Sequence, residues 1–255
     1  MALIKTNALI LKYVNLNDND RLFTAFSPEI GKFTAMSKGV RSHKHKDFAA
    51  LQIFCYSELV IDNSKGIYYI NSASVKENFF DLRTSVEKTS LATYFTDLVS
   101  FLADEIVFDD DFFSFVLNTL YLTANAEKRA GDDISAELLR LKTIFEVKCA
   151  CVSGYMPSVS ECASCRSKTS LDHFDSVSGC AVCDKCYETY SSPGVMETSE
   201  SALKIIEYIS LCNNKQVFSF RASPEVIEDA NSLSENYLIN KLEYASSMLD
   251  YLKSL

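Results

Sequence analysis

Five of the nine cysteines in this 255-residue chain fall within one segment, CASCRSKTSLDHFDSVSGCAVCDKC, residues 162–186. Cys162-x2-Cys165 is followed by Cys183-x2-Cys186, with 17 residues between the pairs. Each C-x2-C knuckle sets two thiolates on one side of a tight turn, and two facing knuckles complete a tetrahedral S4 site. The intervening length is that of a zinc ribbon. Unrelated buried cysteines are the plainer explanation, because free Cys is a common core residue. Two regularly spaced pairs in a polar segment argue against it. Cys180-x2-Cys183 is a third C-x2-C pair and His173 a further ligand type, so spacing alone leaves the second knuckle in two registers. Four thiolates would close the coordination shell against water and substrate, which makes the expected zinc structural. Cys55, Cys149, Cys151 and Cys212 lie in strand or helix patterns and are expected to be ordinary core residues.

The second chemically pointed stretch is SKGVRSHKHKDF, residues 37–48, which carries Lys38, Arg41, Lys44 and Lys46 with His43 and His45 between them. In the preceding KFTAMSKGV, strand alternation sets Lys32, Thr34, Met36 and Lys38 on one face. A charge run is ordinarily a solvated loop. On a small barrel the same cations line a groove suited to a phosphate backbone. Tyr13, Phe26, Phe48, Tyr68 and Tyr69 are candidate stacking residues, some of which must instead fill the barrel. His43 and His45 are expected to be exposed.

Two kinds of element must position these groups. Over the first 75 residues, ALILKYV (8–14), RLFTAFS (21–27), KFTAMSKGV (32–40), LQIFCYSELVID (51–62) and IYYINSASV (67–75) read as strands joined by turn-rich NLNDND, PEIG and NSKG. Five strands in that length suit a closed OB-type barrel, and an SH3-like barrel fits the pattern nearly as well. Beyond residue 77 the period becomes helical. Leu91, Tyr94, Phe95, Leu98, Phe101 and Leu102 share one face of a first helix. Further helices are expected over 109–129, 132–154, 199–214 and 234–255, the second of these ending at Gly154. The acidic run Asp109-Asp110-Asp111 is read as helix capping rather than a metal site. The expected class is therefore α+β: a five-stranded barrel followed by an α-helical domain with an inserted four-cysteine zinc module.

The totals agree. Apolar residues make up 47% of the chain, and only seven Gly and four Pro interrupt it. The net charge is −9, yet residues 1–46 hold eight Lys/Arg against three Asp/Glu. A basic N-terminal part on an acidic body points to a localised polyanion site. Lys5 and Lys12 break the apolar start, no small-residue cleavage site follows, and no 18-residue apolar stretch exists. The expectation is a cytoplasmic protein without a membrane span, whose reduced thiols are free to bind metal.

These segments, in this order, resemble the RecO family of recombination mediators. NDNDRLFTAFSPEIGKFTAMSKGVRS has that family's Asp-Arg strand entry, Gly-Lys turn and Lys-Gly-x-Arg loop, and AALQIFCYSEL resembles the strand that follows. FEVKCACVSGYMPSVSECASC resembles the helix ending in Gly-Tyr-x-Pro before the first knuckle. SGCAVCDKC is similar to Gly-Gly-x-x-Cys-x-x-Cys, with Cys180 at the second Gly, and that register implies Cys183 and Cys186 as ligands. YLINKLEYASSMLDYL resembles the last helix.

The resemblance implies an OB-fold DNA-binding domain over 1–78 and a helical domain over 79–255, with the zinc insertion at about 156–192. It implies a non-enzymatic protein of DNA repair, acting at the nucleoid. Such a protein binds single- and double-stranded DNA, anneals complementary strands and assists RecA loading with RecR and the C-terminal tail of single-strand-binding protein. Lys32, Lys38, Arg41, Lys44 and Lys46, with Arg21, would neutralise phosphates. The lack of G-x-x-x-x-G-K-[ST] agrees with a role without nucleotide hydrolysis. Two rival readings are a zinc-containing adaptor whose basic loop binds an acidic partner, and a zinc hydrolase, which needs an open coordination position.

Overall fold

The first strand, long enough to pair with two neighbours, sets the architecture. β1 (Leu3–Asn15) pairs antiparallel with β4 (Tyr56–Ser64) along its first half and with β2 (Arg21–Ser27) along its second. A register shift between Ile10 and Lys12 bends it from one neighbour to the other. β3 (Gly31–Ser37) pairs antiparallel with β2 and parallel with β5 (Ile67–Glu77), which returns beside β4. The ring β1-β2-β3-β5-β4 is closed. With its parallel β3–β5 contact it is a five-stranded barrel of the OB type. Phe23, Ala25, Phe33, Ala35, Leu59 and Ile61 alternate inward to fill it. This is a computed structural model, and it describes residues 3–64, 66–104, 109–130, 133–244 and 247–253.

The run LQIFC does not extend β4 as its composition suggests. Ala49–Leu51 is a 3-10 turn that drives Leu51 fully into the barrel core. Phe54 then takes a left-handed φ of 70°, and residues 54 and 55 exchange hydrogen bonds of 2.9 and 3.0 Å with Ile10 at the bend of β1. The apolar run is a plug, stopped from being a strand by that reversal.

The chain divides into two compact units, Met1–Ala124 and Asn125–Leu255. In the first unit, α1 (Val86–Leu102) and α2 (Asp110–Ala124) join the barrel. Phe113 of α2 lies 5.4 Å from Phe26 and 5.8 Å from Tyr56, ring centre to ring centre. On α1, Leu91, Tyr94, Phe95, Leu98 and Leu102 are buried as the period predicts, whereas Phe101 is 38% exposed. Asp109 caps α2 by accepting the Phe112 N–H at 2.8 Å, the role read for that acidic run.

In the second unit, α3 (Glu127–Ala130) leads into α4 (Ile134–Val152), capped by Asp133 and followed by Gly154 at φ +86°. β6 (Ser158–Cys162), β7 (Leu171–Asp175), β8 (Cys180–Cys183) and β9 (Val195–Glu197) form a four-stranded sheet in the order β6-β8-β7-β9. The one-turn helix α5 (Asp184–Tyr187) follows β8. α6 (Glu200–Leu211), α7 (Pro224–Leu242) and α8 (Ser247–Leu252) complete the chain. α7 begins ten residues before the helix expected at 234, and Glu243 ends it in a left-handed conformation. Residues 132, 245, 246, 254 and 255 of the expected helices lie outside the described residues.

α4 packs on α7 through charge as well as apolar contact. Lys142, buried, meets Glu146 at 2.8 Å and Glu235 at 2.7 Å, and Glu146 also accepts from Ser234 Oγ at 2.6 Å. Burial works against the Lys142 ammonium, but the two carboxylates outweigh it and hold it above the usual lysine range. A buried charge persists only when paired in this way.

Candidate metal centre and nucleic-acid interface

Cys162 closes β6, and Cys165 sits on the turn beyond it. Arg166 at φ +60° carries that turn, and its N–H donates to the Cys162 carbonyl at 2.9 Å. Cys183 closes the adjacent β8, and Cys186 follows on α5. The parallel pairing of β6 with β8 brings the two knuckles face to face. All four Sγ atoms lie within 4.8 Å of one another, and those of Cys165 and Cys183 are 3.7 Å apart. A tetrahedron with arms of ~2.3 Å, the Zn–S length, has edges of about 3.8 Å, so the set fits a metal of that kind.

The electrostatics agree. Burial opposes a thiolate at Cys162, but backbone N–H groups of Cys165, Cys183 and Ser164 outweigh it and bring the thiol down to about 6. Cys186 is pushed up to about 12, first by Cys165 and then by Cys183 beside it. Four thiols this close ionise together only around a cation.

Of the two registers, Cys183 and Cys186 are the pair that joins the four-sulfur group. Cys180 Sγ lies 2.9 Å from Ser178 Oγ and 3.5 Å from the Tyr190 hydroxyl, outside the four-sulfur group. His173 is also outside it, its ring stacked 3.8 Å from that of Tyr187. Neither residue belongs to the group, and four thiolates would by themselves close a tetrahedral shell.

The cations of the first unit do not share one fate. The loop after β1 and the loop after β3 are clasped together: Gly39 N–H donates to Asp20 Oδ1 at 2.8 Å, and Arg41 donates from its N–H to the Asn19 carbonyl at 3.1 Å and from its guanidinium to that of Asn17. The Asn17 amide and the Gly39 amide hold Asp20 below the usual carboxylate range, with Lys38 adding to them. Arg21 lies 4.0 Å above the Tyr13 ring and donates to Asn15 Oδ1 at 3.0 Å. Lys38, Lys44 and Lys46 are exposed. Between Lys38 and Lys46 runs a groove of about 530 Å³, with Tyr69, Asn71, Asp47 and Asp62 among its lining.

Lys32 stands apart. Alternation sets it on the outer face as expected, yet its ammonium is paired with Asp104 and donates to the Ser100 carbonyl at 2.8 Å, leaving the side chain 19% exposed. It fastens β3 to the end of α1 and is not in the groove. His45 also differs from expectation, being half-buried and accepting the Asp47 N–H at 3.2 Å through Nδ1.

The candidate stacking residues are now sorted. Phe26 is buried against Phe113, Tyr68 packs edge-on to Phe33, Phe48 meets His43, and Tyr13 lies under Arg21. Tyr69 lines the groove, with Lys38 Nζ 5.6 Å from its ring centre.

A second cavity, whose lining the sequence could not name, occupies the helical unit. Arg129, Arg140 and Arg221 line about 190 Å³ together with Phe220, Ile227 and Glu137. Arg140 grips Glu137 through two bonds of 2.7 and 2.8 Å. Arg129 and Arg140 also donate to the Phe218 carbonyl at 2.7 and 3.2 Å. The arginines are too far apart in the chain to form a motif.

Comparison with known proteins gives matches over nearly the whole chain. A family model described as Recombination protein O N terminal matches residues 1–79, and one described as Recombination protein O C terminal matches residues 83–246. The DNA repair protein RecO of Acetivibrio thermocellus is 31% identical over 256 residues, covering 100% of this chain and 98% of its own length. That of Caldicellulosiruptor saccharolyticus is 30% identical over 254 residues, covering 99% of each. That of Alkaliphilus metalliredigens is 26% identical over 242 residues, covering 94% of each.

Proposed function

The chain belongs to the RecO family of DNA repair proteins, and on that premise we propose that it is a non-enzymatic recombination mediator. It binds single- and double-stranded DNA, anneals complementary strands and assists RecA loading together with RecR and single-strand-binding protein. The observation that carries this reading is the gathering of Arg21, Lys38, Arg41, Lys44 and Lys46 on and beside two clasped loops, in a chain whose net charge is −9. Cations placed between two phosphate backbones reduce their mutual repulsion, which favours pairing. Lys32 takes no part, since Asp104 neutralises it.

In this reading residues 1–78 are the DNA-binding domain, which α1 and α2 buttress. Residues 79–255 are the helical domain, and the module at about 156–192 holds one structural zinc ion through Cys162, Cys165, Cys183 and Cys186. The metal stiffens two knuckles and supplies no open position for chemistry. The arginine-lined cavity suits the C-terminal tail of single-strand-binding protein, because a chain terminus carries a carboxylate and guanidinium groups pair with carboxylates. The protein works in the cytoplasm at the nucleoid; no helix among the described residues is long and apolar enough to cross a membrane.

The test is oligonucleotide binding by the intact protein at two salt concentrations. Engagement of about five phosphates gives a slope of log K against log salt of roughly −4. Absence of binding at low salt removes the DNA role and favours an adaptor whose basic loop meets an acidic protein.

A further inference from the structure

The groove beside β5 carries both signs of charge, at different depths. Lys38 and Lys46 are exposed along it. Asp47 is only 4% exposed, and its carboxylate accepts the Ala73 N–H at 3.1 Å. Asp62 is half-buried and accepts from Asn71 Nδ2 at 3.0 Å. Tyr69 lies among these groups, on the same wall as its strand partner Met36. Fixed carboxylates repel phosphate, so a backbone cannot run along the deep part of this groove. A base carries no charge, and its π-face matches a tyrosine ring. The polar edges of the Asp62–Asn71 pair can meet the edge of a base.

We propose that this groove receives one strand of DNA, with a base laid against Tyr69 and the flanking phosphates on Lys38 and Lys46, and that Tyr69 makes the groove selective for single strands. The proposal rests on the DNA-binding reading above and adds to it an orientation and a selecting residue. A duplex keeps its base faces stacked inside, so it offers none to Tyr69, and Asp47 and Asp62 oppose its phosphates. Base–aromatic stacking is indifferent to sequence because every base has a π-face, so the groove accepts any strand.

The experiment is fluorescence anisotropy on the full chain with three probes of equal length: oligothymidine, the same backbone with abasic sites, and a duplex. The variants are Tyr69→Ala, Tyr69→Leu, Tyr69→Phe and the pair Lys38→Ala/Lys46→Ala. Tyr69→Ala and Tyr69→Leu are expected to weaken oligothymidine binding by about five- to 150-fold with the salt slope unchanged. They should leave the abasic strand and the duplex at wild-type affinity, and Tyr69→Phe should bind as wild type. Leu keeps an apolar side chain without a flat ring, so its loss cannot be laid to an emptied wall. Wild-type affinity for oligothymidine in Tyr69→Ala and Tyr69→Leu, with weakened binding in the lysine pair, overturns the proposal and spares the DNA-binding reading. Equal weakening on all three probes overturns the selectivity. Wild-type affinity in the lysine pair as well overturns both.

Discussion

The ring of Tyr237 on α7 occupies the space that a side chain at residue 179 would need: a Cβ built on Gly179 falls 2.4 Å from it. Gly179 is also at φ +78°, a conformation other residues adopt only at a cost. Phe174 meets the same ring edge-on at 5.7 Å, and Asn240 donates to Ser176 Oγ at 2.9 Å. These contacts seat the metal module on the helices. Gly179→Ala should lower stability by about 2 kcal/mol or more, from strain plus overpacking. Thermal unfolding of the single and double variants with Tyr237→Ala checks this. A coupling of about 0.5–3 kcal/mol marks the steric part, and additivity of the two changes would show that the ring is not the obstacle.

Metal removal should loosen the module and leave the barrel. Cys165→Ser or a chelator is expected to abolish stoichiometric zinc and expose residues 156–192 to protease, with little change in oligonucleotide affinity. A cobalt-substituted protein should show the absorption of an S4 site. Metal retention should fall with falling pH, because the ligands bind as thiolates. A spectrum of mixed nitrogen and sulfur ligands would refute the four-cysteine set.

Charge reversal at Lys38, Arg41, Lys44 and Lys46 should nearly abolish DNA binding while the fold persists. Lys32→Ala is the contrasting variant. It should leave affinity within about twofold and lower stability by roughly 1 kcal/mol, the worth of a part-exposed pair and a carbonyl bond. Should Lys32→Ala weaken DNA as strongly as its neighbours, the groove has been drawn on the wrong face.

Asp175 supplies a pH dependence. Burial raises it, but Ser178, the Val177 N–H, Ser192 and Tyr190 all donate to it and together hold it below the usual carboxylate range. A carboxyl depressed on folding contributes stability above its unfolded value near 3.9, and that contribution is lost as pH falls through the folded value. Asp175→Asn should therefore destabilise at neutral pH, and the gap from wild type should narrow below about pH 4 in denaturant titrations. A gap that stays constant down to pH 2 would contradict this.

Arg221 is exposed at the cavity of the helical unit. Arg221→Glu should weaken capture of a peptide bearing the tail of single-strand-binding protein at least tenfold, about 1.4 kcal/mol. A peptide with an amidated C-terminus should bind the wild-type protein as poorly. Equal binding of the free and amidated peptides would dismiss the carboxylate as the recognised group.

The parts of this molecule legible in its sequence were those with a fixed period or spacing. RLFTAFS, bounded by the turn-rich NLNDND and PEIG, became β2 with the expected ends. The two knuckles were readable because tetrahedral thiolate sites demand that spacing. The start of α7 was not, because residues 224–233 bury only Ile227, Ala230, Asn231 and Leu233, too short and too mixed a set to show an apolar period. The available signal was Ser223-Pro224-Glu225, a cap residue, a proline and an acid at a helix start. Leu51 was assigned to a strand because composition cannot show the left-handed turn at Phe54. Alternation gave the face of Lys32, but the partner that neutralises it, Asp104, is 72 positions away and no local pattern could reveal it.

The loop bearing the cations has a second consequence. β3 accompanies β5 only at residues 68 and 69, so beyond them that flank of β5 would lie open. The Asp47 carboxylate takes the Ala73 N–H and the Lys46 ammonium reaches the Asn71 carbonyl at 3.4 Å, covering it. A bare strand flank is a template for pairing with another chain, and these two contacts fill this one from within the same barrel.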